Sequence, residues 1–543
     1  MFPAARAGVQ GASKVEPESH AVSGWQATSN EAAAATRRET QMGFIASVKQ
    51  HPKALFWSFA VSLVVIMDGY DTALIGTLQG FPAFKHRFGY VGKSNDYQVP
   101  PRWQTAIGMA SPVGNIFGIF INSLVTERVG HKKMLLLSLV ILTGFIFIQF
   151  FAKNIQQIFA GEILCGLPWG VFTTLAPAYA SEVAPASLRA YLETYVVLCW
   201  GIGQLISYAV LDSLDSSLSQ WAWRIPFGVQ WVFPVVIFPL AIFCPESPWW
   251  LVRRGRIADA EKSVKRLTSW KDEQEVHDAV ALMVETTELE RSMTEGATYL
   301  DCFRGSNLWR TEISCCAWVS QVLVGFALTW YQAYFFEQAG LSTSKSYKLT
   351  VGQGGLNVFC TLLSCFVTHR FGRRTNFIAG CLMMATVMFI IGFLSIPTKS
   401  ANIAAAQAAM YMLWFCLYLL TIGPTVFIII GETSSTRLRS HTIALARNAY
   451  NVFGILSSAT APIILNPDAD NWKGKSGFLA GGLGLICALW GFFRLPDCKG
   501  RTYEELDIMF SKNLKASQFK SYQIDRQQFI SEKLAEVEVE HVE

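Results

Sequence analysis

Two carboxylates interrupt an apolar stretch near the start of the chain. Residues 55–81 read LFWSFAVSLVVIMDGYDTALIGTLQGF, and Asp68 and Asp71 follow the most apolar part. An ionised carboxylate is costly in hydrocarbon, so two in one membrane segment indicate a functional role. At a spacing of three residues they share one face of a helix, which we expect to line a cavity. We predict that Asp71 binds a proton on a transport path. The alternative is that both carboxylates lie near a helix end and simply reach water.

The composition places these carboxylates in a membrane protein that crosses the bilayer many times. Of 543 residues, 51% are hydrophobic and 16% are charged, whereas an ordinary soluble domain is about one-quarter charged. The net charge of +5 is too small and too scattered for a nucleic-acid binder. The sequence has no phosphate-binding loop of the Walker A type, metal-ligand cluster or Ser/His/Asp triad. We therefore expect no ATP-driven pump, enzyme, catalytic residue, cofactor or metal.

Windows of about 20 mostly apolar residues predict the helices that hold the site. The fold class is therefore an all-α membrane protein with twelve transmembrane helices. The predicted spans are 54–75, 103–124, 134–151, 157–181, 190–211, 222–243, 312–336, 350–368, 375–395, 405–431, 442–465 and 476–494. Small residues in GNIFG (114–118), GIGQL (201–205) and GGLG (481–484) predict close helix crossings.

Lys and Arg concentrate in alternate connections between the predicted spans. By the positive-inside rule these connections and both termini face the cytosol. The linker contains two sequences that predict short amphipathic helices, 258–267 and 275–293. The predicted division is a disordered cytosolic N-terminal tail (1–50), an N-terminal six-helix half (54–243), a cytosolic linker (244–311), a C-terminal six-helix half (312–495) and a cytosolic C-terminal tail (496–543).

Three pairs of motifs recur at corresponding places in the two sets of six spans. ERVGHKK (127–133) matches HRFGRR (369–374). ASEVAPASLRAY (180–191) matches GETSSTRLRSHT (431–442), and PESPWWL (245–251) matches LPDCKGRT (495–502). Repeats of this kind indicate two parallel six-span halves, the architecture of the major facilitator fold.

These motifs, with GYDT (69–72) and Gly423-Pro424, resemble the sugar porter family of the major facilitator superfamily. GYDTALIGTLQGFPAF, CGLPWGVF, YASEVAP and LCWGIGQL resemble its fungal α-glucoside (maltose-type) permeases. The resemblance implies a monomeric, multi-pass transporter in the cell membrane that works by alternating access. Its expected partners are a small sugar or glycoside, protons and the lipid bilayer.

The resemblance also implies a proton-coupling site. In the wider family an Asp on the first span pairs with an Arg on the fourth, and here Glu162 stands at that position. Asp71 and Glu162 would then form a carboxylate pair that shares a proton, because two close acids do not both ionise cheaply. The alternative places Glu162 at a span mouth, solvated and inert.

Sugar sites combine side-chain amides with aromatic faces. The resemblance implies substrate-binding roles for five residues, for which ordinary helix packing is the alternative. They are Gln321, Asn357, Tyr418, Phe427 and Asn451. Val197 and Phe326 stand where the family has amides, and each loses a hydrogen bond that a polyhydroxyl ligand would accept or donate.

Charged residues at the cytosolic helix ends resemble the gates of the family. Pairs between them would form and break as the two halves move, although positive-inside charge alone is the alternative. The predicted gate residues are Arg128, Glu182, Arg189, Glu246, Arg370, Arg373, Glu432 and Arg439.

The sequence thus favours proton-coupled uptake of an α-glucoside or related sugar. The apolar side chains of Val197 and Phe326 favour a second hypothesis, transport or export of a non-sugar metabolite. A third hypothesis is a non-transporting sugar sensor, against which the short C-terminal tail argues.

Overall fold

Helices form most of the part of the chain that the structure describes. The computed structural model describes residues 48–49, 51–91, 97–183, 186–270, 273–294, 298–325, 332–396, 401–435, 437–465, 472–499, 501, 503–512 and 514–522. The predicted N-terminal tail (1–50) and the last residues of the C-terminal tail therefore lie almost wholly outside the described residues.

The helices before the middle of the chain begin at Pro52, which occupies the first helical turn, where a missing N–H costs nothing. In chain order they are α1 (Pro52–Ser62), α2 (Val64–Leu78), α3 (Pro82–Phe88), α4 (Pro101–Val129), α5 (His131–Phe150), α6 (Ile155–Val183), α7 (Ala186–Leu214), α8 (Gln220–Val229) and α9 (Val232–Phe243). Strands β1 (Tyr90–Val91) and β2 (Tyr97–Gln98) pair antiparallel between α3 and α4.

Among the described residues, three α-helices form the middle of the chain, and nine α-helices follow. The middle helices are α10 (Pro248–Arg253), α11 (Ile257–Leu267) and α12 (Glu273–Thr294). The later helices are α13 (Gly305–Leu323), α14 (Gln332–Ala339), α15 (Thr343–Arg370), α16 (Arg373–Leu394), α17 (Ala401–Leu420), α18 (Ile422–Thr433), α19 (Arg439–Leu465), α20 (Ser476–Arg494) and α21 (Tyr503–Ser511).

Ten helical segments of the described chain are long and apolar enough to cross a membrane. They correspond to all of the predicted spans except 312–336 and 442–465. The first exception is covered by α13 and α14, with residues 326–331 between them outside the description. The second is covered by α19, a helix of 27 residues that contains Arg447 and Asn451. The predicted all-α membrane protein is confirmed, and its twelve spans fit the major facilitator fold.

Glycines allow the predicted close crossings of helices. A Cβ added to Gly118 of α4 would lie 2.1 Å from the backbone oxygen of Leu167 in α6. A Cβ added to Gly203 of α7 would lie 2.0 Å from the backbone oxygen of Ile66 in α2. Only glycine permits such backbone contact, so the crossings predicted from GNIFG and GIGQL are confirmed.

Both amphipathic helices predicted in the linker are present, as α11 and α12. Their apolar residues pack on each other and on α10, which adds a third helix to this segment. This cluster contains Trp250, Ala260, Val264, Val276 and Val280. The C-terminal segment also packs on the bundle, because Phe519 is fully buried against Trp309 and Phe510.

One face of the bundle, which we name the closed face, joins the helices before Phe243 to those after Gly305. Lys85 Nζ of α3 lies 3.3 Å from Glu337 Oε2 of α14. Tyr347 donates a hydrogen bond to the backbone oxygen of Thr77 at 3.2 Å. The position of the boundaries between the predicted domains stays a prediction.

Candidate functional site

Asp71 lies inside the bundle and is held by an amide. Its helix α2 crosses α7 closely, and only 1% of the residue is exposed. Gln230, which joins α8 to α9 and is also 1% exposed, donates from Nε2 to Asp71 Oδ1 at 2.8 Å. The observed partner of this carboxylate is therefore a neutral amide.

Glu162 has the same kind of partner. It lies on α6, is fully buried, and accepts a hydrogen bond of 2.6 Å from Nε2 of Gln149 at the end of α5. Gln149 is fully buried as well. The burial excludes the alternative in which Glu162 is solvated at a span mouth.

The two glutamines that donate to the carboxylates share a further feature. The side-chain oxygens of Gln149 and Gln230 are buried and have no hydrogen-bond partner among the described residues. Each carboxylate thus accepts a hydrogen bond from a glutamine whose own Oε1 accepts none from the described residues.

Asp68, the first carboxylate of α2, is 9% exposed. Arg447 of α19 is a cation of the later helices that is held by aromatic rings. The Arg447 guanidinium lies 5.2 Å from the ring centroid of Trp318 and 5.1 Å from that of Tyr450. The Arg447 guanidinium therefore makes cation–π contacts with two aromatic rings.

Two of the predicted substrate residues are buried and hydrogen-bonded within the bundle. Gln321 Nε2 donates to the backbone oxygen of Gly423 at 3.0 Å, in the first turn of α18 and just after Thr421, which separates α17 from α18. Asn357 donates from Nδ2 to Gln204 Oε1 at 2.8 Å, which joins α15 to α7. Both amides are 2–3% exposed.

The other three predicted substrate residues differ in exposure. Phe427 is 48% exposed and meets Trp318 edge-on at a centroid distance of 5.6 Å. Tyr418 is buried and stacks on Trp414 at 5.9 Å. Asn451 is half-buried, and its Nδ2 has no hydrogen-bond partner among the described residues.

Among the gate residues of the earlier helices, Glu182 and Glu246 form a network with α10 and the start of α5. Glu182 pairs with Arg253 at 2.7 Å, accepts from the hydroxyl of Ser247, and lies 3.8 Å from His131 Nε2. Glu246 accepts from the backbone N–H of His131 at 3.0 Å.

For two further residues of this predicted gate, Arg128 and Arg189, the described part of the structure gives no contact with this network. Arg128 is exposed at the end of α4, and the side chain of Arg189 lies outside the description.

The gate residues of the later helices are centred on Glu432. Arg373 reaches its carboxylate through two nitrogens, at 2.7 and 3.1 Å. Arg370 is exposed, and its backbone oxygen accepts from Lys499 at 3.0 Å. Arg439 begins α19.

Several residues of the site were not predicted from the sequence. Gln149, Gln204 and Gln230 are hydrogen-bond partners of predicted residues, and Lys85 forms a buried ion pair. A signal for the glutamines was present, since each is an isolated amide in an apolar segment. Nothing local marked Lys85, because its partner is 252 residues away.

Comparison with known proteins agrees with this architecture. A family model described as "Sugar (and other) transporter" matches residues 57–510. Maltose permease MAL31 of Saccharomyces cerevisiae is 36% identical over 513 residues, which are 93% of this chain and 83% of the permease. The general alpha-glucoside permease of the same species is 34% identical over 497 residues, 90% of this chain and 80% of the relative.

Solved structures share the fold at lower identity. An inward-open structure of the xylose transporter XylE from E. coli has a TM-score of 0.68 and 22% identity, and the match covers 84% of this chain and 99% of XylE. The proton:xylose symporter XylE bound to 6-bromo-6-deoxy-D-glucose gives a TM-score of 0.67 at 22% identity, with the same coverage.

Proposed function

Because the chain belongs to the sugar (and other) transporter family of the major facilitator superfamily, we propose that it carries out proton-coupled uptake of an α-glucoside or a related sugar. It is a multi-pass membrane transporter and not an enzyme. We place it in the cell membrane as a monomer, with both termini in the cytosol as its basic connections predict. The relatives named maltose permease and general alpha-glucoside permease support the substrate class.

The observation that carries the proposal is the pair of buried carboxylates. Asp71 and Glu162 are 1% and 0% exposed, and we propose that they share one proton. Each accepts a hydrogen bond from a glutamine rather than from a cation. Burial of an anion without a counter-ion is costly, so binding of a proton stabilises such a group.

The glutamine partners suit both protonation states. An ionised carboxylate accepts from Nε2, as seen for Gln149 and Gln230. A protonated carboxyl group has an O–H to donate, and the unpaired Oε1 of either glutamine can accept it. We infer that the proton enters this pair when the site faces one side of the membrane and leaves when it faces the other.

The substrate would bind between the earlier and the later helices, next to the proton pair. Gln321 and Asn357 present amides for sugar hydroxyls, and the half-exposed ring of Phe427 presents a face for the apolar side of a pyranose. We assign supporting contacts at the rim to Tyr418 and Asn451.

Alternating access would make and break contacts at the two faces of the bundle. At the closed face, Lys85 and Glu337 join the earlier helices to the later ones. At the opposite face, we propose that the networks of Glu182 and Glu432 reorganise as the halves rock. The remaining predicted gate residues, Arg128, Glu246, Arg370 and Arg439 among them, would take part in the same networks.

Uptake of labelled maltose and glucose in transport-deficient cells tests the proposal. We expect uptake by the wild type to fall when a protonophore removes the proton gradient. Asp71→Asn and Glu162→Gln should each abolish this gradient-dependent uptake, because they remove the titratable group but keep its size. Asp259→Asn, which changes an exposed carboxylate of α11, is the matched control and should transport normally.

If the protein reaches the cell surface but the cells take up neither maltose nor glucose, the assignment of a sugar substrate is refuted. If sugar uptake is unchanged by the protonophore and by both Asp71→Asn and Glu162→Gln, proton coupling is refuted but sugar transport is not.

One observation favours a second candidate, transport of a less polar compound. Val197 precedes Gly201 by one turn of α7, and a Cβ at Gly201 would lie 3.2 Å from the Asn357 side chain. Val197 is 40% exposed, and its spacing from Gly201 places it on the face of α7 that approaches Asn357. This candidate would be supported if the protein transports a non-sugar metabolite, inward or outward, but transports neither maltose nor glucose.

A further inference from the structure

The two halves of the bundle carry different basic side chains at the same place. In the repeated motifs, His131 at the start of α5 matches Arg373 at the start of α16, and Glu182 of α6 matches Glu432 of α18. Arg373 holds Glu432 at 2.7 Å with a guanidinium that is always charged. His131 presents to Glu182, at 3.8 Å, an imidazole whose charge depends on pH. The earlier half therefore has a titratable group where the later half has a fixed cation.

A second acid in each half supports this equivalence. Glu246 lies between α9 and α10, and Asp497 follows α20. A Cβ added to Gly130 would overlap the Glu246 carboxylate, and one added to Gly372 would overlap that of Asp497. Each acid thus lies against the glycine that precedes the basic residue of its half. The two gates share this geometry around side chains of different chemistry.

The imidazole of His131 is buried between two carboxylates. Its side chain is 7% exposed, with Nε2 3.8 Å from Glu182 Oε2 and Nδ1 3.7 Å from Glu246 Oε1. Nδ1 is buried and has no hydrogen-bond partner among the described residues. A neutral imidazole donates from one nitrogen, whereas an imidazolium donates from both. A protonated ring can therefore attract both acids at once.

Glu246 has the most to gain from that positive charge. Among the described residues, no Lys or Arg nitrogen lies within 4 Å of its carboxylate. It accepts instead from backbone N–H groups, those at the start of α5 at 3.0 and 3.3 Å and that of Ser247 at 3.1 Å. Glu182, by contrast, already pairs with Arg253 at 2.7 Å. Protonation of His131 would thus supply the counter-ion that Glu246 lacks.

The other titratable groups around the ring keep their charge near neutral pH. The Tyr179 ring lies 6.4 Å from the imidazole, and its hydroxyl donates to the backbone oxygen of Pro245 and accepts from Cys244. Arg266 of α11 donates to the backbone oxygen of Phe243. The charged neighbours on α4 and α5 are Glu127, Arg128, Lys132 and Lys133, of which only Lys132 is not exposed. Carboxylates, lysines and arginines ordinarily stay charged between about pH 6 and pH 8, and thiols and phenols stay mostly neutral. The imidazole is the group whose charge changes in this range.

We propose that His131 is a pH-dependent latch of the cytosolic gate. With its ring protonated, it joins Glu182 to Glu246 and holds the arrangement in which the closed face is shut. With its ring neutral, it frees both acids for the rearrangement that opens this face. The latch is therefore engaged at lower pH and is lost as the pH rises, so that an acidified cytosol should slow the cycle. This inference rests on the proposed function, which supplies the cycle and the cytosolic position of the network.

Hydrogen–deuterium exchange of the full chain in lipid nanodiscs tests the latch without a substrate. The backbone N–H groups of His131 and Ser247 donate to Glu246, so peptides that cover residues 128–136 and 244–253 report on it. His131→Gln keeps a neutral polar side chain, and His131→Arg supplies the fixed cation of the later half. Proteins are compared at the same pH, so that the intrinsic exchange rates cancel.

At about pH 6 we expect the wild-type peptides to exchange roughly tenfold more slowly than those of His131→Gln, the contribution of one hydrogen bond to a charged group. At about pH 8 the two proteins should exchange alike. His131→Arg should be protected at both pH values, and Arg373→His should make peptides that cover residues 371–378 pH-dependent as well. His277→Gln, which changes an exposed histidine beside Glu261, is the matched control and should exchange like the wild type.

Two outcomes would overturn the inference. If wild type and His131→Gln exchange alike at the lower pH, protonation of the ring does not join the two acids. If His131→Arg keeps the pH dependence of the wild type, a different group titrates. If the exchange is as expected but the protein transports neither maltose nor glucose, the latch is supported and only the proposed function is refuted.

Discussion

The ion pair at the closed face gives a direct way to shift the transport cycle. Lys85 of α3 and Glu337 of α14 lie 3.3 Å apart, with side chains only 8% and 9% exposed. The pair joins the earlier helices to the later ones, so it can exist only while this face is shut. Lys85→Met keeps much of the apolar stem but removes the positive charge that lies against the buried Glu337 carboxylate.

The free-energy cost of Lys85→Met can be worked out from the burial of the Lys85–Glu337 ion pair. Removing one partner of a buried ion pair costs about 3–5 kcal/mol, because the remaining charge is left uncompensated. The small residual exposure argues for the lower end, about 3 kcal/mol. When the face opens, water solvates Glu337 and the penalty disappears. At 1.4 kcal/mol per factor of ten, the ratio of shut to open molecules should therefore fall roughly 100-fold.

Hydrogen–deuterium exchange of backbone amides measures the change in the ratio of shut to open molecules. We expect faster exchange in Lys85→Met for peptides that cover 77–88 and 332–347, the two segments that meet at the closed face. Peptides from α11 and α12, which pack away from this face, should exchange as before. The double variant Lys85→Glu with Glu337→Lys restores a pair of opposite charges and should recover part of the protection.

Lys262→Met, which breaks an exposed pair with Asp259, is the matched control and should have no effect. If Lys85→Met exchanges like the wild type at the closed face, the pair does not hold the face shut and the reasoning is wrong. Faster exchange throughout the chain would show general unfolding instead of opening.

Two further predictions concern helix packing away from the transport path. Gly118→Leu should abolish the yield of monodisperse protein in size-exclusion chromatography, because its Cβ would overlap a backbone oxygen of α6. Gly144→Leu, at a position with nothing within 4 Å, should be tolerated, and equal behaviour of the two variants would contradict the crossing. Arg310→Met should increase proteolysis of the C-terminal segment, since this buried guanidinium lies 4.3 Å from the ring of Phe510 and donates to the backbone of α21. Arg304→Met, in an exposed pair, should leave the cleavage rate unchanged.

The elements that depend on local composition were predicted well. Apolar runs gave the helices that cross the membrane, since each must bury or face lipid along its whole length. The small residues of α4 and α7 predicted close crossings because only glycine admits backbone contact. The charged linker predicted α11 and α12 from the spacing of their apolar residues, but not α10.

The candidate site was predicted in part. Asp71, Glu162, Gln321 and Asn357 are all buried in the bundle, as a role in a transport path requires, although those roles stay predictions. The partners were not predicted. Nothing in the sequence near Asp71 indicates Gln230, which is 159 residues away.

The sequence by itself determined the class of protein and the course of its chain through the membrane. Hydrophobic runs, basic connections and repeated motifs are local properties, and hydrocarbon allows few structures besides a helix to satisfy the backbone. Only the tertiary structure decided which polar groups meet. It paired two carboxylates with amides rather than cations, buried Lys85 against Glu337, and placed His131 between Glu182 and Glu246. Those outcomes depend on how distant helices cross and rotate against one another, and that packing is a property of the whole bundle rather than of any one segment.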